Sequence, residues 1–194
     1  MQLALRFSLA IVAVAALAGC SSAPGPLRVA RAPAAVHKPI DPPYKWTHGK
    51  APQAHKDMLA TFSRGGLRPG EFVWSANVPA DGETRIVIDR LTQMLYAYRG
   101  EQLVGAASVS TAKSGMITPL GFWSVLEKKR LHRSRKYDDA PMPFMQRIDE
   151  YGIAMHGGNN PGYPASHGCI RLPMKFAEKL YGLTRIGSKV VIEG

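Results

Sequence analysis

Short runs of apolar and β-branched residues recur through the second half of the chain, separated by polar or glycine-containing turns. Runs of this length, spaced by about ten residues, are typical of strands in an antiparallel sandwich or a barrel-like sheet. The pattern predicts five strands, over residues 84–89, 94–98, 103–111, 121–126 and 188–192. We therefore expect a mostly β fold.

Two stretches carry a helical pattern. Pro52 begins a segment that runs to Phe62 and is followed by Gly65-Gly66, and proline is favoured in the first turn of a helix. A second segment, from Pro173 to Tyr181, has Gly182 as a candidate C-terminal cap. Its apolar face comprises Leu172, Phe176, Ala177 and Leu180. Each segment predicts a short helix.

The chain begins with an apolar segment that is too short to cross a membrane. Arg6 precedes a largely apolar run of twelve residues, Phe7 to Ala18. A membrane-spanning helix needs about 20 apolar residues, whereas a run of this length fits a secretory signal peptide. We predict a signal peptide over residues 1–19 and an exported protein.

The end of this segment, Leu17-Ala18-Gly19-Cys20, resembles the lipobox of bacterial lipoproteins. The resemblance implies that Cys20 is acylated and becomes the mature N-terminus, which would hold the protein at a membrane. Ser21 follows in place of aspartate, which by the same resemblance favours a periplasmic protein on the outer membrane over one on the inner membrane. Ala16-Leu17-Ala18 also fits an ordinary signal peptidase site, so both cleavages stay open.

Composition divides the mature chain into two parts. Residues 21–43 are rich in proline, alanine and serine and have no apolar period, which is typical of a semi-extended linker. We predict a lipidated N-terminus and tether with a possible short helix over 20–70. A globular domain then follows over 71–194, with its core at 84–192.

The net charge of +11 favours an anionic partner, such as a polymer or a membrane surface. No zinc-finger spacing and no aromatic-studded basic helix accompanies this charge, so no nucleic-acid partner is expected. The chain has two cysteines, and if Cys20 is acylated then Cys169 is a lone thiol in an exported protein.

A basic run lies between the fourth predicted strand and the second helix. Residues 128–136 hold six lysines and arginines, just upstream of the candidate catalytic residues. The run is either a solvated loop or a lid over an acidic substrate, since functional loops are commonly placed on a rigid sheet. The candidate substrate-binding residues are Lys128, Lys129, Arg130, Arg133 and Tyr151.

The stretch from His156 to Pro173 carries the candidate chemistry. A thiol attacks carbonyls as thiolate, and a neighbouring imidazole or cation lowers its pKa and can shuttle the proton. If 166–171 is extended, His167 and Cys169 share a face, while His156 would reach Cys169 across the loop. Spacing alone does not choose between the two histidines as base.

Backbone and charge add to this candidate chemistry. Gly168 allows close approach of the backbone, so its N–H and that of Cys169 could bind an oxyanion. Arg171 offers a planar fork for a carboxylate. A buried structural thiol and a zinc site are the alternatives. His-x-Cys is a poor chelating pair and a structural zinc site needs four ligands, so no metal is expected.

The motif Ser166-His167-Gly168-Cys169-Ile170-Arg171, preceded by Met155-His156-Gly157, resembles the L,D-transpeptidase catalytic domain of the YkuD type. The segments Val109–Ala112, Thr118–Phe122 and Met142–Phe144 extend the resemblance, which covers about Thr84 to Ile192. One departure is Ala112, where the family commonly has glycine. The resemblance implies a sandwich-like or barrel-like sheet with the cysteine loop at one end.

The resemblance also implies residue roles. Cys169 would be the nucleophile and His156 the general base, oriented by the carbonyl of Gly157. Ser166, His167, Gly168 and Arg171 would shape the site and its oxyanion hole. The reaction would release D-alanine from a peptidoglycan stem tetrapeptide and join the acyl group to an amine of another stem, with no cofactor and with the enzyme expected as a monomer.

Two other functions fit the same residues. The same thiol could pass the acyl group to water or to a protein lysine, which would make the protein a carboxypeptidase or a protein-attaching enzyme. A non-catalytic peptidoglycan-binding lipoprotein could also keep the fold. Such a module has no need of a thiol, and the presence of Cys169, His156 and Arg171 therefore argues against it.

Overall fold

The computed structural model describes residues 44–194, so the predicted signal peptide, Cys20 and the linker up to residue 43 lie outside the described residues. The described chain forms two helices and ten strands. The helices are α1 (Lys50–Phe62) and α2 (Met174–Leu183). The strands are β1 (Phe72–Trp74), β2 (Thr84–Asp89), β3 (Met94–Arg99), β4 (Gln102–Ser108), β5 (Gly121–Ser124), β6 (Glu127–Lys129), β7 (Met145–Arg147), β8 (Ala154–Gly157), β9 (Ile170–Leu172) and β10 (Lys189–Glu193).

The strands form two mixed sheets. The first has six strands in the order β1-β4-β3-β2-β10-β5, and the second has four in the order β6-β7-β8-β9. The pairs β2–β10 and β8–β9 are parallel, and all other pairs are antiparallel. The predicted mostly β fold with short helices is confirmed, and the two parallel pairs are the departure from the expected antiparallel arrangement. Neither sheet of residues 44–194 closes into a barrel.

The parallel pair of β2 and β10 has a topological cause. Strand β10 returns to the first sheet only after α2, and a crossover of this kind lets a strand pair in parallel with an earlier one. The predicted strand at 103–111 ends at Ser108, because Ser110 turns to exchange backbone hydrogen bonds with Arg171. The predicted strand at 121–126 likewise ends at Ser124.

The main core lies between the first sheet, the second sheet and α2. It contains Ile86, Ile88 and Ile192 from the first sheet, Met155 and Ile170 from the second, and Phe176 from α2. Alternation along β2 sends Val87 to the opposite, outer face of the first sheet. The second helix was predicted to end before Gly182 but extends to Leu183, so Gly182 is not its cap.

The first helix covers that outer face and is part of the domain. Its buried residues Ala51, Ala54 and Met58 pack on strand residues that include Val87 and Tyr96. Complete burial of a methionine side chain stabilises a fold by about 1.5–3 kcal/mol. The domain boundary predicted at residue 71 is therefore too late, because the segment from residue 44 onward belongs to the folded unit.

A buried carboxylate ties α1 to the end of the chain. Glu193 accepts hydrogen bonds from the N–H groups of His48, Lys50 and Ala51 and from the hydroxyl of Thr47. Burial alone would raise the pKa of Glu193, but these four donors together lower it. The N-terminus of α1 is thus capped by the last strand rather than by its own residues.

Candidate active site

The parallel pairing of β8 with β9 gathers the predicted histidine, cysteine and arginine. Its register sets His156 opposite Arg171, and Cys169 directly precedes β9. Side chains alternate along a strand, so Cys169 and Arg171 project to the side of the second sheet that carries His156. Cys169 packs on Ala154, two residues before His156 on β8. The fold therefore brings together residues that are thirteen or more positions apart in sequence.

His156 is buried and held in one orientation. Its Nδ1 lies 2.9 Å from the carbonyl oxygen of Gly157, which can only accept, so Nδ1 carries the proton and Nε2 keeps a free lone pair. Burial lowers the pKa of the imidazole, the Gly157 carbonyl opposes this, and the charges of Arg171 and His132 lower it further. The imidazole is therefore neutral at pH 7 and able to accept a proton.

The Cys169 thiol is half-buried, free of any disulfide and 3.7 Å from the carbonyl oxygen of Gly152. Burial raises the pKa of this thiol and the charge of Asp149 raises it further, while the N–H of Ala154 and the charge of Arg171 lower it. The neighbours Ala154 and Arg171 thus lower the thiol pKa as expected, but burial outweighs them and the net shift is upward.

Two hydroxyl groups fix the backbone around the thiol. Ser166 Oγ accepts the N–H of Gly168 at 3.0 Å and donates to the carbonyl of Cys169 at 2.6 Å. Thr118 Oγ1 donates to the carbonyl of Gly168 at 2.6 Å and accepts the N–H of Ala112 at 3.0 Å. Ala112 is not among the positive-φ residues of the described chain, so alanine is accommodated there without backbone strain.

Glycine is required at position 168, and position 157 is closely packed. Gly168 has a φ of +139°, and a Cβ there would lie 2.5 Å from Cδ1 of Ile153 and 3.0 Å from the oxygen of Ile117. At Gly157 a Cβ would lie 2.8 Å from the sulfur of Met174. The backbone conformation and close packing explain the glycine that precedes the cysteine, whereas at Gly157 the exposed Met174 side chain could move aside.

The predicted oxyanion donors need a correction. The N–H of Gly168 is engaged by Ser166 Oγ and is not available to a substrate. The N–H of Cys169 has no acceptor within the described part of the chain. Gly168 therefore shapes the loop, and Cys169 itself offers the backbone donor beside the thiol.

His167 points to a different neighbourhood from that of the thiol. Its ring stacks on Tyr137 with centroids 4.4 Å apart, and its Nε2 lies 3.2 Å from Nζ of Lys113. The structure therefore distinguishes the two histidines that sequence spacing left open as the general base. His156 carries the oriented imidazole, and His167 joins the catalytic loop to residue 137.

Arg171 is anchored by its backbone, and its side chain remains free. Its N–H and carbonyl exchange hydrogen bonds with Ser110 at 3.0 and 3.1 Å. Its guanidinium makes no hydrogen bond or ion pair with any residue of 44–194. Ser110 in turn donates from Oγ to the carbonyl of Tyr163 at 2.7 Å. Arg171 therefore keeps its planar fork for a ligand carboxylate.

The basic run forms a hairpin that reaches the catalytic loop. Strands β6 and β7 begin it, and further backbone bonds continue to Ser134, whose N–H donates to the carbonyl of Ala140. Tyr137 at its tip stacks on His167. The interpretation as a mobile, solvated loop is wrong for the base of this segment, because that base is a paired element of the second sheet.

The predicted substrate contacts in this hairpin are largely engaged elsewhere. Lys128 is wrong as a substrate ligand, because its Nζ donates to the carbonyls of Tyr181 and Thr184 at the end of α2. Burial lowers the pKa of this amine. The remaining candidates keep a solvent-facing position: Lys129 pairs with Glu127, Arg130 with Glu178 and Arg133 with Asp139, and Tyr151 is 81% exposed.

Sequence reasoning missed three contributors to the site. Thr118 lies in a quoted motif, but nothing in that motif shows that its hydroxyl binds Gly168. Asp149 is buried near the thiol and accepts the N–H of Ile153 at 2.7 Å, and Tyr137 is the hairpin's contact to the catalytic loop. A single tyrosine or aspartate within a charged run carries no pattern, so no sequence signal was available for these two.

Within residues 44–194 no cluster of three histidine, cysteine, aspartate or glutamate side chains could hold a metal ion. No helix of that same part of the chain has the length and apolar character needed to cross a membrane.

Solved structures show the same fold. An L,D-transpeptidase from Mycobacterium smegmatis aligns with a TM-score of 0.54 at 19% identity, covering 58% of this chain and 59% of that one. One from Xylanimonas cellulosilytica aligns with a TM-score of 0.52 at 24% identity, covering 61% and 64%. One from Stackebrandtia nassauensis aligns with a TM-score of 0.54 at 23% identity, covering 76% and 68%. The chain thus spans less than two thirds of the first two proteins.

A search of curated proteins returned no match. A family model described as the L,D-transpeptidase catalytic domain (YkuD) matches residues 83–192, which is more than half of the chain and contains both His156 and Cys169. The chain belongs to the YkuD family of L,D-transpeptidase catalytic domains.

Proposed function

We propose that this protein is a peptidoglycan L,D-transpeptidase with Cys169 as nucleophile and His156 as general base. The observation that carries the proposal is the orientation of His156. Its Nδ1–H is committed to the Gly157 carbonyl, which leaves Nε2 as the proton acceptor on the side of the sheet that carries Cys169. A buried structural histidine has no need of a free lone pair beside a free thiol.

The first half-reaction forms a thioester. His156 Nε2 takes the Cys169 proton as Sγ attacks the carbonyl carbon between the third and fourth residues of a stem tetrapeptide. The N–H of Cys169 stabilises the developing oxyanion. When the C–N bond breaks, the imidazolium returns the proton to the departing amine, and D-alanine leaves. No charged pair has to exist beforehand, in keeping with the raised thiol pKa and lowered imidazole pKa.

The second half-reaction regenerates the thiol. An amine of another stem attacks the thioester carbonyl, His156 accepts a proton from that amine, and the leaving sulfur takes it back. The product is a 3→3 crosslink. Arg171 supports a substrate carboxylate near the reacting bond, because its guanidinium is free in the described structure and lies opposite His156 in register.

Product analysis tests this proposal. The full chain is incubated with disaccharide tetrapeptides, and the products are weighed. Crosslinked dimers with release of D-alanine are expected, and Cys169→Ala should give neither. If tripeptide monomers are the sole products, the acyl group passes to water rather than to an amine, and the protein is an L,D-carboxypeptidase. If a lysine-containing protein added to the reaction becomes joined to the stem peptide, the acceptor is a protein lysine and the enzyme attaches proteins to peptidoglycan. Unchanged substrate with wild type and variant alike contradicts an enzymatic function.

We further propose that Cys20 is acylated and that the enzyme is held in the periplasm, at the outer membrane, by this lipid. The support is the Leu17-Ala18-Gly19-Cys20 sequence, followed by Ser21 and a proline-rich linker. The mass of the mature N-terminal peptide tests this. A diacylated or triacylated peptide beginning at Cys20 is expected, and an unmodified peptide beginning at Gly19 contradicts it.

A further inference from the structure

A groove crosses the outer face of the six-stranded sheet beside the first turn of α1. It consists of two adjoining cavities of about 480 and 360 Å³, and Lys50 and Arg85 line both of them. The larger compartment is polar and includes Gln53 and Asp57, and the smaller is apolar and includes Phe122. We call this surface the outer groove.

The outer groove opens away from the catalytic residues. Its floor includes Val87 and Val191, which belong to the cluster beneath α1. The opposite face of the same strands contributes Ile86 and Ile192 to the core that the second sheet completes. Since Cys169 and His156 lie at the second sheet, a ligand in the outer groove would leave the thiol accessible to a second ligand.

An aromatic wall borders the apolar compartment. Phe122 is 63% exposed, although its strand partner Val191 is buried. The reason is that α1 packs on β2, β4 and β10, whereas Phe122 lies on the next strand, β5. The Phe122 ring meets Trp46 edge-on at 5.5 Å and His48 at 5.0 Å. The Glu193 carboxylate fixes the backbone of His48. The exposed ring is therefore held in place by its neighbours.

Positive charge lies where the two compartments join. Lys50 Nζ has no ion pair among residues 44–194, and the guanidinium of Arg85 lies 4.4 Å from the Tyr98 ring centroid. The lining carboxylates compete weakly for these cations. Glu101 is fully exposed and 3.9 Å from Arg85, and Asp57 is bonded to the Tyr98 hydroxyl and to Gln53. The junction is therefore suited to an anionic group.

We propose that the outer groove is a second peptidoglycan-binding site, which takes the junction between a glycan strand and its stem peptide. This inference rests on the proposed function. The junction presents sugar hydroxyl and acetamido groups to the polar compartment, a stem carboxylate to Lys50 and Arg85, and methyl-bearing surface to Phe122. Holding the wall at a second point raises the effective concentration of stems near the thioester.

Binding to isolated cell-wall sacculi tests the proposal. The full chain carrying Cys169→Ala, purified in detergent, is compared with the same chain carrying Lys50→Gln and Phe122→Ser. We expect Kd to rise about tenfold, since one charge contact and one aromatic contact are removed. The matched control carries Lys56→Gln and Leu59→Ser, two exposed α1 residues outside the groove, and should bind within about twofold of the parent.

Each outcome decides the proposal. Equal binding by the groove and control variants overturns it, as does an equal loss in both, which would indicate nonspecific attraction. A loss confined to binding of anionic lipid vesicles, with sacculus binding unchanged, overturns it in favour of a membrane surface. Soluble tetrapeptides report separately on the proposed function. If wild type gives no product while the groove variant still loses sacculus binding, catalysis fails and the outer groove stands.

Discussion

The hydroxyl of Ser166 offers the sharpest test of how the loop around Cys169 is held. Ser166 is 1% exposed, and its Oγ both accepts the N–H of Gly168 and donates to the carbonyl of Cys169. Replacing Ser166 with alanine removes both bonds without adding volume. The change therefore leaves one backbone donor and one backbone acceptor without their partners at the point where the thiol is positioned.

The cost follows from these two groups. A buried donor or acceptor that loses its partner costs about 1–3 kcal/mol. Because Cys169 is half-buried, water can reach part of the loop, and we expect Ser166→Ala to lower the free energy of unfolding by about 2–4 kcal/mol. Displacement of the thiol and its N–H should also lower kcat at least tenfold, since small misplacements of reacting groups are costly.

Ser75→Ala is the matched control. Ser75 Oγ donates to the carbonyl of Asn77 and accepts the N–H of Asn77, which is the same pair of local bonds at an exposed site. Denaturant unfolding and single-turnover kinetics are measured on both variants, and Ser75→Ala should cost less than about 1 kcal/mol. If Ser166→Ala costs no more than Ser75→Ala and keeps wild-type turnover, the Ser166 bonds do not hold the loop.

Three further predictions concern the helix, the thiol and the hairpin. Met58→Ala should lower the free energy of unfolding, measured in denaturant, by about 2–4 kcal/mol, because Met58 is fully buried. Leu59→Ala should lower it by less than about 1 kcal/mol, because Leu59 is 54% exposed. Equal losses would contradict the packing of α1 on the sheet. Because the Cys169 pKa is raised, iodoacetamide alkylation of Cys169 should keep accelerating above pH 9, and a rate that is already constant at pH 7 would contradict a neutral resting thiol. Tyr137→Ala should raise KM for stem peptides several-fold, because it removes the ring that stacks on His167. Tyr137→Phe keeps the ring and should have a KM close to that of wild type. Identical KM values for the two variants would show that the ring at the hairpin tip does not contribute to the site.

The pKa shifts of His156 and Cys169 also determine how the stability of the fold changes with pH. A histidine whose folded pKa is lowered favours unfolding once the pH falls below its ordinary value of 6.5, because the unfolded chain then binds more protons. A cysteine whose folded pKa is raised loses its stabilising contribution as the pH rises above its ordinary value of 9.0. Between these limits neither titration opposes folding.

The chemistry was predictable from sequence because it is concentrated in short motifs. The motifs around His156 and Cys169 carry the side chains together with Gly168, which the backbone conformation requires, and the confirmed YkuD family follows from them. The longer strands were predictable because six-residue β-branched runs have a clear period. Strands β6 to β9 have three or four residues each, which is too short for any period to show.

The remaining features depend on contacts between distant segments. The capping of α1 by Glu193 joins residues that are more than 140 positions apart, so local sequence placed the helix but not its membership in the domain. Lys128 was assigned to a substrate because a charge run gives no direction to any one side chain. Only the fold shows that its amine binds the end of α2.

The identity of the nucleophile can be measured directly by intact-protein mass spectrometry. The full chain is mixed with a disaccharide tetrapeptide in which the acceptor amine is acetylated, so that the acyl-enzyme accumulates. We expect an adduct equal to the substrate minus D-alanine, mapped by peptide analysis to Cys169 and absent from Cys169→Ser. An adduct on another residue, or D-alanine release that persists in Cys169→Ser, would contradict the assignment of Cys169 as the nucleophile.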